Sequence, residues 1–317
     1  MKWFARYLVS LIACASTYVC MARGIGPVCG LDCRVPTTLC PAEGTNNTFC
    51  ANAWNSDGKG YQCLEVGDDQ RSFVATSHWT SLPAHVVHSY PHIKLGSPLF
   101  PRQFRDIASL RVNAEWGMGR SAGPKIATSL AVDSDGLTKS QCIANVAFDI
   151  WADLDPVLAS NESMARIEIM LWLGVFGPVQ PLGWDNKTSR TRPQLRLGDN
   201  NFTLFEGSAS VGRSTFTWMP DTNYTHISQD LSPLVQYLWK NNLVPAEAYV
   251  GTVGFGSESF FSLDPIAFTA QSLSLNVTSE GVAPFSPCDS PAGKNQPLRL
   301  LSFLFSFATP MIAYSLS

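Results

Sequence analysis

Charge is what this chain has least of. Asp, Glu, Lys and Arg make up 15% of its 317 residues, against roughly a quarter in ordinary soluble domains. Neither sign is in excess: 22 Lys+Arg stand against 25 Asp+Glu, a net charge of -3. Without a basic surplus or stripe, a nucleic-acid partner is not expected. Histidine is scarce, with five in all. In an extended strand His85 and His88 face opposite sides, with His92 beyond them and no Glu in attendance, so no metal site is expected. A Gly-x-Ser-x-Gly elbow and a Walker loop are missing, and Gly117-x-Gly119 lacks the third glycine of a dinucleotide loop, so no cofactor is expected either. Cysteine is absent from most of the chain, five of the nine (Cys29, Cys33, Cys40, Cys50 and Cys63) falling within 29–63.

What is present fits an extracellular β-protein. Hydrophobic residues reach 45%, with nine Trp and 21 Pro, and Ser, Thr, Asn and Gly must cover the surface that charge does not. Residues 1–22 read as a secretory signal peptide: Lys2 and Arg6 precede the apolar run from Leu8, and cleavage after Ala22 is favoured over Ala15. Residues 298–317 form an apolar tail without a basic flank. Upstream lie a polar spacer and the small residues Ser290 to Gly293, the elements of a GPI-attachment signal with Ser290 as the attachment residue. A secreted location, with the membrane reached through a GPI anchor, follows as an expectation. Six sequons, at Asn46, Asn161, Asn186, Asn201, Asn223 and Asn276, would supply glycans in that compartment.

Residues 23–44 read as a Cys-rich segment stapled by disulfides. Nine cysteines less Cys14 and Cys20 leave an odd number, and the pairing stays open. Over 45–278 short alternating runs are separated by Gly, Pro, Asn, Asp and Ser clusters, the pattern of an all-β sandwich in one domain. One helix interrupts it, from Ser232-Pro233 to Lys240, with Leu231, Leu234, Val235 and Leu238 at helical spacing. Residues 117–140 read as a long inserted loop, and 279–297 as a Pro/Ser/Gly linker.

Chemistry enters through three acids in apolar runs. Read with a period of two, Ile167, Ile169, Leu171 and Leu173 share one face of their strand, and Arg166, Glu168, Met170 and Trp172 share the other. In Asn145–Trp151 the set Val146, Phe148, Ile150 opposes Asn145, Ala147, Asp149, Trp151. A third run places Gly254, Gly256 and Glu258 together, where glycines would let a flat ligand approach the backbone. A carboxylate in such a strand is costly unless it is paired or serves a cleft. Acids beside indole rings, which stack on pyranose faces, point to a sugar polymer and to the carboxylate pair of glycoside hydrolysis.

The elements Asn52-Ala-Trp54, Gln62-Cys63, Ser89-Tyr90-Pro91, Ala144–Asp149, Glu168-Ile-Met-Leu-Trp-Leu173, Gln180-Pro-Leu-Gly183 and Phe255-Gly-Ser-Glu-Ser-Phe260 resemble, in order, those of the glycoside hydrolase family 12 endoglucanases and xyloglucanases. The resemblance implies a β-jelly roll of two stacked, curved antiparallel sheets with a groove for β-1,4-glucan. It implies Glu168 as nucleophile, Glu258 as general acid/base and Asp149 as the acid that hydrogen-bonds the nucleophile. It also implies a sugar-binding Trp54, with Asn52, Trp79, Asn145, Trp151, Met170, Trp172 and Trp184 lining the groove, and a Cys40–Cys63 disulfide. The implied activity is that of a retaining endo-β-1,4-glucanase, acting as a monomer on xyloglucan, mixed-linkage β-glucan or amorphous cellulose. The alternatives are a non-catalytic β-glucan-binding protein and a transglycosylase on the same fold. Ala51-Asn52 departs from the family's paired Asn, Ser81-Leu-Pro-Ala84 from its Trp-Ser-Gly-Gly, and Ser259 from the Pro that usually follows the acid/base.

Overall fold

The structure is a computed structural model that describes residues 39–42, 45–55, 59–121, 130–184, 192–209 and 212–279. The expected signal peptide, the linker beyond Ser279, the tail with Ser290, and most of the Cys-rich segment lie outside the described residues.

Among the described residues, sixteen strands and three α-helices follow in chain order. The first strands are β1 (Leu39–Pro41), β2 (Thr48–Cys50), β3 (Gly60–Val66), β4 (Phe73–Trp79), β5 (His92–Leu95) and β6 (Arg102–Gln103). Next come β7 (Ile107–Arg120), helix α1 (Ser134–Lys139), β8 (Ile143–Asp153), helix α2 (Pro156–Ala159) and β9 (Ile167–Phe176). After them run β10 (Gln194–Leu197), β11 (Asn200–Ser208), β12 (Ser214–Pro220), β13 (His226–Asp230) and helix α3 (Ser232–Lys240). The last are β14 (Tyr249–Gly256), β15 (Ser259–Phe261) and β16 (Ile266–Ser279).

Two sheets result, as a sandwich requires. The larger has the order β1-β2-β5-β14-β8-β9-β12-β11-β10, with β6 on β14 and β15 on β8; the smaller is β13-β7-β16-β4-β3. Pairing is antiparallel except between β9 and β12, which run parallel. The core lies between the sheets, where Val146, Phe148, Ile150, Leu171, Leu173 and Phe255 of the larger meet Phe73, Trp116 and Phe268 of the smaller. Phe255 contacts Phe148 at a ring separation of 4.5 Å and Phe268 at 6.1 Å, joining the two layers. Burying such aromatic side chains supplies the main stabilising term.

Helix α3 spans the expected residues. Pro233 sits in its first turn, Leu234, Val235 and Leu238 are buried, and the Asp230 carboxylate accepts from Ser232 N at 2.9 Å. The expectation of a loop over 117–140 needs correction. Gly117 to Arg120 complete β7, paired with Thr269 to Ile266 of β16, and Ser134–Lys139 is α1, capped by Asp133. The glycines are strand residues for a packing reason: a Cβ on Gly117 would lie 2.5 Å from the Leu130 carbonyl carbon, and one on Gly119 2.9 Å from the Asp133 Cβ. The chain returning through 130–133 lies directly on that strand.

Candidate active site

Strands β8 and β9 sit in the middle of the larger sheet, and their alternation sends one set of side chains into the core and the other to the outer face. The register places Trp151 opposite Glu168 and Asp149 opposite Met170. On the other flank of β8, β14 places Gly254 opposite Asp149, and Glu258 follows the end of β14. Three acids from separate runs thus gather on one face.

Glu168 is held at both oxygens. Thr215 Oγ1 donates to Oε2 at 2.9 Å, because the parallel pairing sets Thr215 of β12 opposite Glu168, and Arg213 Nη1 donates to Oε1 at 3.2 Å. The remaining Arg213 donors are also engaged, Nε with the Ala165 carbonyl at 2.9 Å and Nη2 with the Glu162 carbonyl. A guanidinium with its fork so occupied fixes the carboxylate it touches.

Glu258 is held by Asn145, which is fully buried on β8. The Asn145 Nδ2 donates to Glu258 Oε2, its Oδ1 accepts from Glu258 N at 3.2 Å, and its backbone N donates to Glu258 O at 3.1 Å. Burial raises the Glu258 pKa to about 7, and the Glu168 charge adds to the rise while the Asn145 amide opposes it. Asp149 is buried, and its pKa stands well above the usual carboxylate value because of burial, then the charges of Glu168 and Glu258. Its Oδ1 has no hydrogen-bond partner among the described residues. The group therefore combines an oriented acid, a carboxyl that is still partly protonated at pH 7, and a third, buried acid on the strand beside them, the kind of set that acid/base cleavage of an acetal needs.

The Glycosyl hydrolase family 12 model matches residues 46–278, which contain all of these side chains. The chain belongs to this family. With that membership it is a glycoside hydrolase. The xyloglucan-specific endo-beta-1,4-glucanase 1 of Phytophthora sojae is 27% identical over 224 residues, covering 69% of this chain and 81% of that protein. A Phytophthora nicotianae relative named inactive glycoside hydrolase XLP1 is 26% identical over 214 residues, 66% of this chain and 77% of that one. Among solved structures, endoglucanase 3 of Trichoderma harzianum superposes with a TM-score of 0.61 at 21% identity, covering 77% of this chain and 96% of its own.

Other residues expected in the family 12 groove fare unequally. Trp54 is 54% exposed, in a turn tied down by Asn55 N to the His88 carbonyl at 3.2 Å. Asn52 adopts φ 43°, and its carbonyl accepts from Tyr90 N at 3.0 Å. Trp184 stacks on Phe205 at 5.2 Å and lines a hollow of about 500 Å³ with His85, Gln180, Leu182 and Phe260. Trp79 needs correction. It belongs to the smaller sheet, is buried, donates to Ser89 Oγ at 3.0 Å and lies under the His88 ring, so no ring face is free for a sugar. Trp151, Met170 and Trp172 point to the outer face but are buried there, Met170 and Trp172 in a cluster with Ala147, Val179 and Phe260 and Trp151 against Tyr90. They form the floor beneath the acids instead of its lining. Asn145 is likewise a partner of Glu258, buried away from any ligand.

The glycines of β14 also have another use. A Cβ on Gly254 would lie 2.9 Å from the Trp151 ring, and one on Gly256 2.6 Å from the His92 Cβ, so the space they leave is filled by side chains of this protein. Cys63 is disulfide-bonded, while the Cys40 side chain lies outside the described residues. Asn46, Asn161, Asn201, Asn223 and Asn276 are exposed; Asn186 lies outside the described residues. Sequence reasoning missed Arg213, Thr215 and Glu162 altogether and considered His92 only as a metal ligand.

Proposed function

We propose that the protein is a secreted, retaining endo-β-1,4-glucanase of the double-displacement type, acting on xyloglucan, mixed-linkage β-glucan or amorphous cellulose. The observation that carries this reading is the division of labour between two acids: Glu168 oriented by Thr215 and Arg213, and Glu258 with its pKa at about 7. Glu168 attacks the anomeric carbon while the Glu258 proton passes to the departing glycosidic oxygen, leaving a glycosyl ester on Glu168. Formation of that ester removes the Glu168 charge. The pKa of Glu258 then falls, so it can take a proton from the water that cleaves the ester, and both carboxyl groups return to their starting states. The expected hydrogen bond from Asp149 to Glu168 is not formed in the structure, where Thr215 and Arg213 hold the Glu168 oxygens; Asp149 enters this scheme as a neighbouring buried acid, and exposed Trp54 stacks on a glucosyl ring. Exposed sequons support glycosylation along a secretory route, and Ser290 is the proposed GPI attachment residue.

A non-catalytic glucan binder is the second reading, favoured by the relative named inactive. A transglycosylase, with sugar in place of water as acceptor, is the third. Incubation of the purified protein with xyloglucan, barley-type β-glucan and carboxymethyl cellulose, with product sizing and proton NMR of the first-formed anomer, separates them. Chain shortening with initial β-anomer, lost in Glu168→Gln and Glu258→Gln, supports the proposal. Binding without shortening refutes it, and products longer than the donor identify transfer.

A further inference from the structure

Beneath the acids lies a group that the reaction scheme does not use. His92 on β5 has no solvent exposure, and both ring nitrogens face acceptors: Nδ1 is 2.7 Å from the Tyr90 carbonyl and Nε2 3.1 Å from Glu162 Oε1. A neutral imidazole has one N–H, so it would turn a lone pair against one of these oxygens. Both contacts are satisfied only when both nitrogens carry protons. The Glu162 carboxylate also binds Lys94 Nζ at 3.1 Å, which favours its ionised form. The His92 ring stacks on Tyr90 at 4.5 Å, an arrangement that stabilises a cation over an aromatic face. Burial works against charging His92, and Cys50 and Glu162 outweigh it, placing the pKa at about 10.

The site reaches the reaction centre through β14. Gly256 pairs with His92 on one side and Ala147 on the other, and Gly254 lies opposite Asp149. Because neither glycine has a side chain, the imidazole extends over β14 towards β8, and its charge acts on Asp149. The ionisable groups around it are Cys50 on β2, Tyr90 and Lys94 on or beside β5, Glu162 before β9, and Asp149 on β8, with Glu168 and Glu258 beyond.

We propose that His92 is a positioning residue of the carboxylate cluster, a constitutive imidazolium clamped between Glu162 and the Tyr90 carbonyl whose positive charge faces the acid cluster across the two glycines of β14. Its effect on catalysis rests on the glucanase reading; its protonation state does not. Long-range proton–nitrogen NMR of the histidine-labelled full chain, assigned with His92→Gln, should show both His92 nitrogens protonated from pH 6 to 8.5. In Glu162→Gln deprotonation should begin at least one pH unit lower than in the wild type. Removing a positive charge disfavours every ionised carboxylate nearby, so the kcat/KM bell of His92→Gln should move up by about half to one pH unit, and His92→Lys should bring it back. A His92 nitrogen without a proton at pH 7.5 overturns the proposal, as does a His92→Gln bell that stays in place or moves down. If His92→Gln does not fold, the wild-type and Glu162→Gln spectra decide. If the wild type cleaves no glucan, the glucanase reading fails and the spectra still decide the charge of His92.

Discussion

The hydrogen bond from Asn145 to Glu258 provides a perturbation whose sign and size follow from the structure. In Asn145→Ala the backbone contacts persist, since Asn145 N still donates to Glu258 O and Ser257 Oγ still donates to the Asn145 carbonyl. Only the side-chain contacts to the carboxylate and to Glu258 N are lost. The amide donor stabilises the ionised form of Glu258 and so pulls its pKa down, against burial and Glu168. A hydrogen bond to a charged group is worth about 1.5–3 kcal/mol, equivalent to about 1–2 pKa units. Asn145→Ala should therefore lift the alkaline limb of kcat/KM from near 7 by about 1–2 pH units. A carboxyl freed to rotate should also lower kcat by roughly 10-fold at the optimum, through lost orientation. The assay is kcat/KM against pH on soluble xyloglucan, which reports the free enzyme. An alkaline limb that stays near 7, or falls, refutes the assignment of Asn145 as the group that tunes Glu258.

The Glu168 charge is one cause of the Glu258 rise but not the largest, so in Glu168→Gln the Glu258 carboxyl, followed by carbon NMR, should titrate lower than in the wild type while staying above 4.5. Thr215→Val removes one donor to Glu168 and Arg213→Gln the other; each should cost roughly 10-fold or more in kcat/KM, with binding of a short glucan to the inactive Glu258→Gln background almost unchanged. Asp153 is buried under a bidentate contact from Arg166, at 2.6 and 2.8 Å, and its pKa is lowered to about 2. A folded pKa below the unfolded one contributes stability above about pH 4 that is lost as pH falls towards 2, so thermal melting should show Asp153→Asn less stable than wild type at pH 6, with the gap closing on acidification. The imidazolium of His92 has the opposite sign: its contribution is full below about 6.5 and disappears as pH rises through about 10.

Much of the sandwich is legible because a period of two identifies which side chains share a face. Val146, Phe148 and Ile150 lie in the core, opposed by Asp149 on the outer face, as that period requires. Helix α3 is legible for the same reason at another period, with a proline to mark its start. Helices α1 and α2, of six and four residues, are too short for a period to emerge. The strand glycines Gly117 and Gly119 read as a loop because their lack of a side chain serves the segment lying on them, and glycine at close contacts looks in sequence like glycine at turns.

The site divides along the same physical line. Periodicity says which face a side chain leaves by, not what covers it there. Trp172 and Met170 share the outer face with Glu168, yet Val179 and Phe260 close over them, while Trp54, in a turn with no period at all, stays exposed. The residues that tune the acids arrive from farther away. Thr215 lies 47 positions after Glu168 and meets it through the parallel pair in an otherwise antiparallel sheet; Asn145 lies 113 positions before Glu258. Neither a strand's alternation nor the composition of a run carries such pairings, because they depend on which strands become neighbours. The three acids that gather at the site could thus be picked out locally, since a carboxylate is costly in an apolar strand wherever it sits. What holds each acid comes from non-local partners: Arg213 and Thr215 orient Glu168, and Asn145 holds Glu258 against the upward push of burial. Substitutions that keep all three acids but change those partners should therefore lower activity, through lost orientation at Glu168 and a displaced pKa at Glu258, with no carboxylate removed.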